Sequence, residues 1–407
     1  MNCRHCQTPL EHVFVDLGTA PPSNAYLTEN QLTEPEPYYP LKVFVCESCW
    51  LVQIDEFAHH SAIFDEKYAY FSSYSSTWLA HAKSYVEMIT QRLSLDSNSQ
   101  VVEIASNDGY LLQYFQQQKI PCLGIEPTAS TARAAKDKGI DVLERFFGME
   151  LAKELNRQGQ QADLIIGNNV VAHVPDINDF VSGLKHLLKP NGTITLEFPH
   201  LLALIEHCQF DTIYHEHFSY LSLTTMVEIL NSVGLQVIDV DELKTHGGSL
   251  RVYIKHLGRE STPSQATMKL LENERIKGVS SLQYYQEFQS RVDKIRDKFL
   301  TFIAQKKKQE KRIAGYGAAA KGNTFLNYCG ITKEHIDFIS DISPHKQGLF
   351  MPGSHIPITP PETIDTSKPD YIIILPWNLK DEIIQQIRPN DDGGVRFVTA
   401  IPNLDIK

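Results

Sequence analysis

The stretch VVEIASNDGYLL, residues 101–112, decides the fold class, because a short apolar run is followed by small and polar residues and then by the start of an amphipathic segment. This pattern predicts a strand, a tight turn and a helix, the arrangement with which an open α/β sheet binds a nucleotide-like ligand. Small side chains in the turn would let the backbone approach that ligand. The expected ligand contacts in this stretch are Glu103, Ala105, Ser106, Asn107 and Gly109.

The same alternation extends outward along the chain. Up to about residue 256, apolar runs such as CLGIEP, ADLIIGNNV and GTITLEF alternate with amphipathic segments such as ASTARAAK and DFVSGLKHLL. Strands that alternate with helices predict a mostly parallel sheet covered on both faces. A second alternating unit begins at RIAGYGAAAKGN, which predicts an α/β protein with two such units. Between the units, one long helix is predicted from the spacing of Phe288, Val292, Ile295, Phe299 and Ile303.

Two further segments of the first unit narrow the choice of ligand. Glu126, at the end of the next predicted strand, can accept hydrogen bonds from both hydroxyls of a ribose, which indicates an adenosine ligand. The turn lacks the GxGxxG series that would seat a pyrophosphate on a helix N-terminus, and this favours S-adenosylmethionine over NAD. Pro127 follows the carboxylate, and Asn168 and Asn169 end LIIGNNV near the expected amino-acid part of the cofactor.

Four of the seven cysteines form two CxxC pairs, Cys3 with Cys6 and Cys46 with Cys49. Each CxxC turn directs two thiolates at one point, so two turns supply the four sulfurs of a tetrahedral structural zinc site with no position open for catalysis. The long gap between the pairs must then fold into turns and strands that bring them together. Disulfides or a redox pair are the alternatives, and a reducing compartment disfavours them.

Length and charge limit the class of protein. The 407 residues suffice for two or three domains, and 42% hydrophobic with 21% charged residues is ordinary for a globular chain. The 49 acidic against 38 basic residues give a net charge of −11, which disfavours binding to nucleic acid. No apolar run approaches the ~20 residues of a membrane helix, and the polar start lacks a signal-peptide core. We therefore expect a cytoplasmic protein without a membrane partner, and a monomer whose sites lie between its own domains.

Several motifs, in one order along essentially the whole chain, resemble those of the zinc-containing deoxysugar C-methyltransferases. They are the CxxC pairs, EIASNDGYLL, GIEPTA, NNVVAHVPD, EFPHL, QFDTIYHEHFSYLSL, THGGSLRV and GYGAAAKGN. Enzymes of this family methylate C-3 of nucleotide-linked 4-keto-6-deoxyhexoses. The resemblance implies a zinc-binding domain over residues 1–74, a Rossmann-like S-adenosylmethionine domain over 75–260, and a helical linker with a C-terminal Rossmann-like domain over 261–407. A dTDP- or GDP-linked sugar would lie between the last two domains, as an intermediate of branched deoxysugar biosynthesis.

Methylation of a carbon beside a ketone requires a base for the C–H proton and a group that stabilises the enolate oxygen. The block Tyr214-His215-Glu216-His217 offers both kinds of group in one short segment. If the block is extended, Tyr214 and Glu216 lie on one side and the two histidines on the other, so the residues alone do not choose the base. The resemblance implies that His217 is the base, that Tyr214 hydrogen-bonds the substrate or enolate oxygen, and that Glu216 positions the substrate or polarises a neighbour.

Further site residues come from the resemblance and from local patterns. The resemblance implies that His173 is a positioning histidine and that Tyr70, or Tyr68 in its place, reaches the same site. Lys321, beside small residues after a predicted strand, suits a phosphate or sugar contact. Arg251 could reach a phosphate or cap a strand end. The other candidate substrate contacts are Ser72, His246, Asn323, Lys346, Trp377 and Asn378.

Three alternatives stay open at this point. A catalytic metal held by His215, Glu216 and His217 is disfavoured because the spacing differs from HExxH. An NAD-binding oxidoreductase would need a ribose partner in the C-terminal unit, for which Asp341 in FISDIS is the candidate. An O- or N-methyltransferase acting on a sugar or small metabolite would use the same cofactor without removing a carbon-bound proton.

Overall fold

The computed structural model describes residues 1–55, 71–258, 262–387 and 394–407. Its strands are β1 (His12–Ala20), β2 (Tyr39–Val45), β3 (Val52–Ile54), β4 (Val101–Ile104), β5 (Cys122–Ile125), β6 (Val142–Leu143), β7 (Ala162–Asn168), β8 (Leu188–Pro199), β9 (Ser219–Tyr220), β10 (Leu235–Leu243), β11 (Ser249–His256), β12 (Ile313–Tyr316), β13 (Ile339–Ser340), β14 (Ile358–Thr359), β15 (Tyr371–Ile374), β16 (Arg396–Thr399) and β17 (Asp405–Ile406). These strands form three sheets in the described part of the chain.

The α-helices of the described residues alternate with the strands of the two larger sheets. They are α1 (Ser76–Leu93), α2 (Leu112–Gln117), α3 (Ala129–Asp137), α4 (Met149–Arg157), α5 (Ile177–Leu187), α6 (Leu201–Glu206), α7 (Leu223–Ser232), α8 (Gln265–Lys277), α9 (Phe288–Lys308), α10 (Ala320–Tyr328), α11 (Thr363–Ser367) and α12 (Lys380–Ile387). Several begin at a side-chain cap, as where Ser75 accepts from Trp78 N and Ser222 accepts from Thr225 N. No helix among the described residues is both long and apolar enough to cross a membrane.

The central sheet has seven strands in the order β10-β11-β8-β7-β4-β5-β6. The run β8-β7-β4-β5-β6 is parallel, and β11 is antiparallel to both of its neighbours. All four residues of β4 are buried, as expected for the middle of a parallel sheet covered on both faces. The chain order reverses between β4 and β7, so this sheet has its switch point, the usual place for a ligand, beside the predicted cofactor turn.

A second α/β sheet, in the order β14-β13-β12-β15-β16-β17, is formed by the C-terminal part of the chain. Its strands from β14 to β16 are parallel, and β17 is antiparallel. The prediction of two α/β units is therefore confirmed. We call them the central unit and the C-terminal unit.

The N-terminal sheet joins residues from distant parts of the sequence, because its order is β1-β2-β3-β9. The first three strands lie between or just after the CxxC pairs, as expected for a segment that brings those pairs together. The fourth strand, β9, comes from the centre of the chain and pairs antiparallel with β3. The sheet near the cysteines is therefore completed by residues that directly follow the YHEH block.

The long helix α9 connects the N-terminal sheet to the C-terminal unit. All five residues of its predicted apolar stripe are buried. The ring of Phe288 stacks on Phe14 of β1 with 4.4 Å between centroids, and one continuous apolar core includes residues of β1, α9 and the C-terminal sheet. The basic run at Lys306, Lys307 and Lys308 ends this helix, where cations suit the helix dipole.

Candidate functional site

The four cysteines of the CxxC pairs converge on one point. Their Sγ atoms lie within 4.8 Å of one another, and this is the one group of potential metal ligands found among the described residues. Cys3 and Cys49 are 3.5 Å apart, as are Cys6 and Cys46, well beyond the ~2.05 Å of a disulfide bond. A hydrogen bond from Cys49 lowers the pKa of the Cys3 thiol to about 4. The donor set and spacing fit a structural zinc ion held by four sulfurs.

Gln53, which sequence reasoning did not single out, supports this cluster from β3. Its side chain is fully buried, and Nε2 donates to Cys3 Sγ at 3.1 Å while Oε1 accepts from Arg4 N at 2.8 Å. The Arg4 guanidinium donates in turn to Pro175 O of the central unit at 2.7 Å. The cysteine cluster is thus attached both to β3 and to the central unit, and such outer hydrogen bonds fix the orientation of metal ligands.

The predicted cofactor turn lies at the carboxyl end of β4 and has an unusual backbone. Ala105 and Asn107 adopt φ angles of 56° and 51°, which are rare for residues with a side chain. A Cβ atom at Gly109 would lie 2.3 Å from Ile140 Cδ1, and one at Gly124 would lie 2.4 Å from Ser106 Oγ. Small residues are therefore required here by the packing as well as by the approach of a ligand.

Carboxylates and amides surround this turn. Glu126 accepts from Asn107 N and from Thr128 N, both at 2.9 Å, so it holds the turn in place at the end of β5, just before Pro127. Burial raises the pKa of the Glu126 carboxyl, and it raises that of Glu103 in β4 well above its ordinary value. Each Glu126 oxygen keeps a second lone pair for a further donor such as a ribose hydroxyl.

At the end of β7, two adjacent amides have buried oxygen atoms that could accept hydrogen bonds from a ligand. Asn168 Oδ1 and Asn169 Oδ1 are both buried without a hydrogen-bond partner, a situation that normally costs free energy. They lie at the same edge of the sheet as the turn after β4 and the carboxylate after β5. The residues present therefore fit S-adenosylmethionine, whose amino and hydroxyl groups would satisfy these acceptors.

The YHEH block is a tight turn, not an extended segment. His217 N donates to Tyr214 O at 2.9 Å, which closes a four-residue turn. As a result the first and last residues meet, and Tyr214 OH donates to His217 Nε2 at 2.9 Å. The alternation considered for an extended block does not apply, because the turn places Tyr214 and His217 on the same side. His215 points away and donates from Nε2 to Pro40 O at 3.2 Å.

His217 is held as a neutral imidazole with a defined tautomer. Its Nδ1 donates to Thr212 O at 2.8 Å, which leaves the lone pair on Nε2. Burial lowers the pKa of His217 well below its usual value, and the nearby His173, His246 and Lys321 act in the same direction. A small cavity adjoins the ring, and its lining is mainly apolar: Ala172, Phe198, Pro199, Leu201, Leu204 and Leu221, with Thr212, Ser219 and Tyr220.

His173 and Glu216 lie next to His217. The His173 ring lies 4.6 Å from the His217 ring, and its Nδ1 donates to Glu216 O at 2.7 Å; burial lowers the pKa of His173 to about 4. Asn24, from the N-terminal segment, donates to Glu216 Oε1 at 3.1 Å. Glu216 Oε2 is buried without a partner, and burial raises the pKa of this carboxyl. All of these groups except Asn24 were predicted from the sequence.

His246 joins the cofactor end of the site to the C-terminal unit. It has a φ of 52°, its Nε2 accepts from Asn169 Nδ2 at 3.3 Å, and its ring meets Trp78 edge-on at 5.5 Å. Burial lowers the pKa of His246 to about 4, with a contribution from Lys321. Non-glycine residues with positive φ concentrate here at Ala105, Asn107, Asn169 and His246, and such strain is characteristic of functional sites.

The C-terminal unit closes the site through a tryptophan and a lysine. Trp377 Nε1 donates to Asp211 Oδ2 at 2.7 Å, and Asp211 lies three residues before Tyr214, the first residue of the YHEH turn. Lys321 Nζ donates to Asn378 Oδ1 at 3.3 Å and lies 5.1 Å from the centre of the Trp377 indole. Burial raises the pKa of Asp211 to about 6. Asp211 was missed because a single acidic residue between apolar ones gives no local signal of its partner.

The remaining candidate substrate contacts among the described residues already have hydrogen-bond partners within the protein or are buried. Arg251 Nη2 donates to the fully buried Glu197 at 2.9 Å and the guanidinium stacks on Tyr85 at 4.5 Å. Lys346 Nζ donates to Ala318 O at 2.8 Å. Asn323 is fully buried in α10, and Ser72 N donates to Asn107 Oδ1 at 2.9 Å beside the cofactor turn. Tyr68 and Tyr70 lie outside the described residues.

Family profiles match the chain in three consecutive ranges. A putative zinc binding domain matches residues 3–64, a methyltransferase domain matches residues 78–240, and a C-methyltransferase C-terminal domain matches residues 244–402. The three ranges contain, in order, the cysteine cluster, the cofactor turn with the YHEH block, and Lys321 with Trp377. The two predicted cofactors, S-adenosylmethionine and a structural zinc ion, are confirmed.

Two solved structures have low similarity to part of this chain. The PH0226 protein from Pyrococcus horikoshii OT3 is 13% identical, covers 46% of this chain and 95% of its own, and has a TM-score of 0.38. Magnesium protoporphyrin IX methyltransferase from Synechocystis PCC 6803 is 15% identical, covers 43% of this chain and 82% of its own, and has a TM-score of 0.35. The fold assignment therefore rests on the strand order and not on these two likenesses.

A relative similar over nearly the full length is the C-methyltransferase NovU from Streptomyces niveus. It is 33% identical over 400 residues, which is 98% of this chain and 95% of NovU. The similarity thus extends across the cysteine cluster, the cofactor turn, the YHEH block and the C-terminal unit. The chain belongs to the S-adenosylmethionine-dependent C-methyltransferases, the family that includes NovU.

Proposed function

We propose that the protein methylates C-3 of a nucleotide-diphospho-4-keto-6-deoxyhexose, linked to dTDP or GDP, in the biosynthesis of a branched deoxysugar. The observation that carries this proposal is the state of His217: a carbonyl fixes its tautomer and burial lowers its pKa, so its Nε2 is a proton acceptor at neutral pH. Methylation of oxygen or nitrogen could use the same base, but it would not remove a carbon-bound proton, so isotope exchange at C-3 distinguishes the two reactions.

The proposed reaction begins with proton transfer to His217 Nε2. The C–H electron pair forms the C-3 to C-4 double bond, and the carbonyl pair moves to the C-4 oxygen, which becomes an enolate. The hydrogen bond from Nδ1 to Thr212 O stabilises the imidazolium that results. Glu126, Asn168 and Asn169 would hold S-adenosylmethionine, which would supply an electrophilic methyl group to C-3 and leave as S-adenosylhomocysteine when its sulfur–methyl bond breaks.

Neighbouring side chains have separate proposed tasks. Tyr214 OH, 2.9 Å from His217 Nε2, would turn to the substrate oxygen once the substrate arrives. Glu216 presents its unpartnered Oε2 to a substrate hydroxyl. His173 and His246 stay neutral because of their lowered pKa values, so they act as hydrogen-bonding and positioning groups. Either Tyr70 or Tyr68 would complete the group from the N-terminal side.

We propose a separate role for each of the three domains expected from the sequence. Residues 1–74 hold the zinc ion, residues 75–260 hold the cofactor and the base, and residues 261–407 complete the site for the sugar nucleotide. Contacts with that substrate are proposed for Ser72, His246, Arg251, Lys321, Asn323, Lys346, Trp377 and Asn378. Trp377 already contacts the segment before the YHEH turn through Asp211, so a substrate in the cleft would touch both units.

The test combines isotope exchange with methyl transfer. In D2O, with S-adenosylhomocysteine in place of the methyl donor, the enzyme should wash the C-3 proton out of the correct 4-keto sugar, as followed by proton NMR. With methyl-labelled S-adenosylmethionine, mass spectrometry should find one labelled methyl on the dTDP- or the GDP-linked sugar. Methyl transfer to a sugar or small metabolite without C-3 exchange would instead indicate an O- or N-methyltransferase and overturn the proposal.

A further inference from the structure

Helix α10 of the C-terminal unit faces the YHEH turn with one side. Thr324 Oγ1 donates to Ile213 O at 2.8 Å, and Ile213 directly precedes Tyr214. Lys321 lies three residues before Thr324 and therefore on the same side of the helix. The lysine is thus directed at the segment that carries His217, although it belongs to a different unit of the chain.

The charge of Lys321 has little compensation in this position. No carboxylate lies within 4.0 Å of Nζ among the described residues, and its hydrogen-bond acceptor is the neutral amide of Asn378. Asp211 is 1% exposed and lies nearby, but its Oδ2 accepts from Trp377 and its Oδ1 has no partner. Lys321 is also the second residue of α10, where the helix dipole already has its positive end.

The positive charge of Lys321 at this position destabilises the protein unless a negatively charged group of the substrate binds close to it. The Lys321 ammonium and the N-terminal end of α10 both create a positive electrostatic potential on the side of the helix that faces the YHEH turn. This field reaches the imidazoles, since Lys321 contributes to the lowered pKa values of both His217 and His246. The group that gains from such a field is an anion formed next to His217.

We propose that Lys321 is a catalytic residue whose ammonium stabilises the negative charge that develops on the C-4 oxygen of the substrate while His217 removes the C-3 proton. The inference rests on the proposed function and assigns the enolate-stabilising role within it. Lys321 keeps its proton throughout: the C-3 proton goes to His217 Nε2, and the carbonyl pair goes to the oxygen that faces the ammonium. A preorganised charge of this kind is typically worth about 10²–10³-fold in rate.

The experiment separates this role from that of a phosphate contact. Lys321→Met should lower the rate of solvent-deuterium exchange at C-3 by about 10²–10³-fold, with S-adenosylhomocysteine bound, while the dissociation constant of the sugar nucleotide changes less than about three-fold. The matched control is Lys333→Met, an exposed lysine of the same unit, which should exchange like the wild type. A weaker sugar-nucleotide affinity with an unchanged exchange rate would mean a phosphate contact and would overturn the proposal.

The pH dependence supplies a second measurement. Burial lowers the pKa of Lys321, and Asp211 opposes that shift; the titratable groups facing it are Asp211, His217 and His246. Exchange by the wild type should fall at alkaline pH, and Lys321→Arg, whose charge persists to higher pH, should move that fall upward. If the exchange rate falls at the same alkaline pH in the wild type and in Lys321→Arg, the proposal is contradicted. This holds even if Lys321→Met fails to fold. If the wild type exchanges no C-3 proton at all, the proposed function itself fails.

Discussion

Gln53 and Ser219 are direct backbone partners in the antiparallel pairing of β3 with β9. Gln53 follows the second CxxC pair and also donates to Cys3 Sγ, whereas Ser219 follows His217 by two residues. The backbone bond from Ile54 N to Phe218 O, at 3.2 Å, continues the same connection. The cysteine cluster and the catalytic turn are therefore linked through one short pair of strands.

Loss of zinc should impair catalysis through this connection. Chelation, or Cys46→Ser, removes the ion that fixes the segment before β3. The turn with His217 should then shift, and turnover should fall by about 10²-fold. The affinity for S-adenosylhomocysteine should change little, because the cofactor turn lies on β4, in another sheet. Calorimetric titration and turnover assays measure the two effects. Cys122→Ser, outside the cluster, is the control, and full turnover by zinc-free protein would disprove the connection.

His217→Asn should abolish the proton transfer and leave the cofactor site intact. Asparagine can preserve a hydrogen bond to Thr212 O but lacks a basic nitrogen, so turnover and C-3 exchange should fall by about 10²–10⁴-fold. The dissociation constant of S-adenosylhomocysteine should remain within about two-fold of the wild-type value, a difference in binding free energy of ~0.4 kcal/mol or less. His207→Asn, at an exposed position, should behave like the wild type. Near-normal exchange by His217→Asn would remove this residue from the role of base.

The acid side of the pH–rate profile should lie unusually low. A base acts when it is deprotonated, so activity is present above the pKa of His217 and is lost as the pH falls through it. Burial places that pKa well below the ordinary 6.5, and His173, with a pKa of about 4, Lys321 and His246 face the same ring. We expect kcat/KM for the sugar nucleotide to stay constant from pH 7 to below pH 6.5. A half-maximal point at or above 6.5 would mean that the base is an ordinary exposed histidine.

Gly247→Ala should disturb the cleft between the two α/β units. Gly247 has a φ of 86°, and a Cβ atom there would lie 2.3 Å from Trp377 Cη2 and 2.8 Å from Gln209 Nε2. The tryptophan must move, so the dissociation constant of the sugar nucleotide should rise by about ten-fold, or ~1.4 kcal/mol. Cofactor affinity should stay the same.

The control for this prediction is Gly258→Ala. Gly258 has nearly the same φ, 84°, but a Cβ atom there would have no neighbour within 4 Å. Both variants carry the backbone cost of an alanine with positive φ, about 1–2 kcal/mol, and Gly247→Ala should lose further thermal stability because its Cβ atom clashes with Trp377. Only the change at Gly247 should weaken substrate binding. Equal affinities in the two variants would show that contact with Trp377 does not matter for binding.

Local patterns predicted a large part of this molecule. Residues 101–112 form the expected strand, turn and helix, and the CxxC pairs meet in one cluster. The apolar stripe from Phe288 to Ile303 lies buried in α9. Each of these features depends on residues close together in sequence or on a fixed chemical spacing, and such signals are independent of the rest of the fold.

The conformation of the YHEH block could not be predicted from local patterns. Its four residues permit an extended conformation or a turn, and the two alternatives place Tyr214 and His217 on opposite sides or on the same side. The structure has the turn, because Phe218 and the strand β9 must reach β3 of the N-terminal sheet, where Ile54 N donates to Phe218 O. A partner more than 150 residues away in the sequence therefore decides which side chains face the base.

The sequence by itself determined the α/β class and the two CxxC turns of the cysteine cluster. It also predicted Glu126 as the acidic partner of the cofactor and the YHEH block as the segment that contains the base. Only the tertiary structure decided that Asn24 meets Glu216, that Trp377 meets Asp211, and that Lys321 meets Asn378. It also decided which nitrogen of His217 is the acceptor. The physical reason is that periodicity and turn chemistry act within a few residues, whereas burial, charge compensation and hydrogen-bond partners depend on which distant segments pack together.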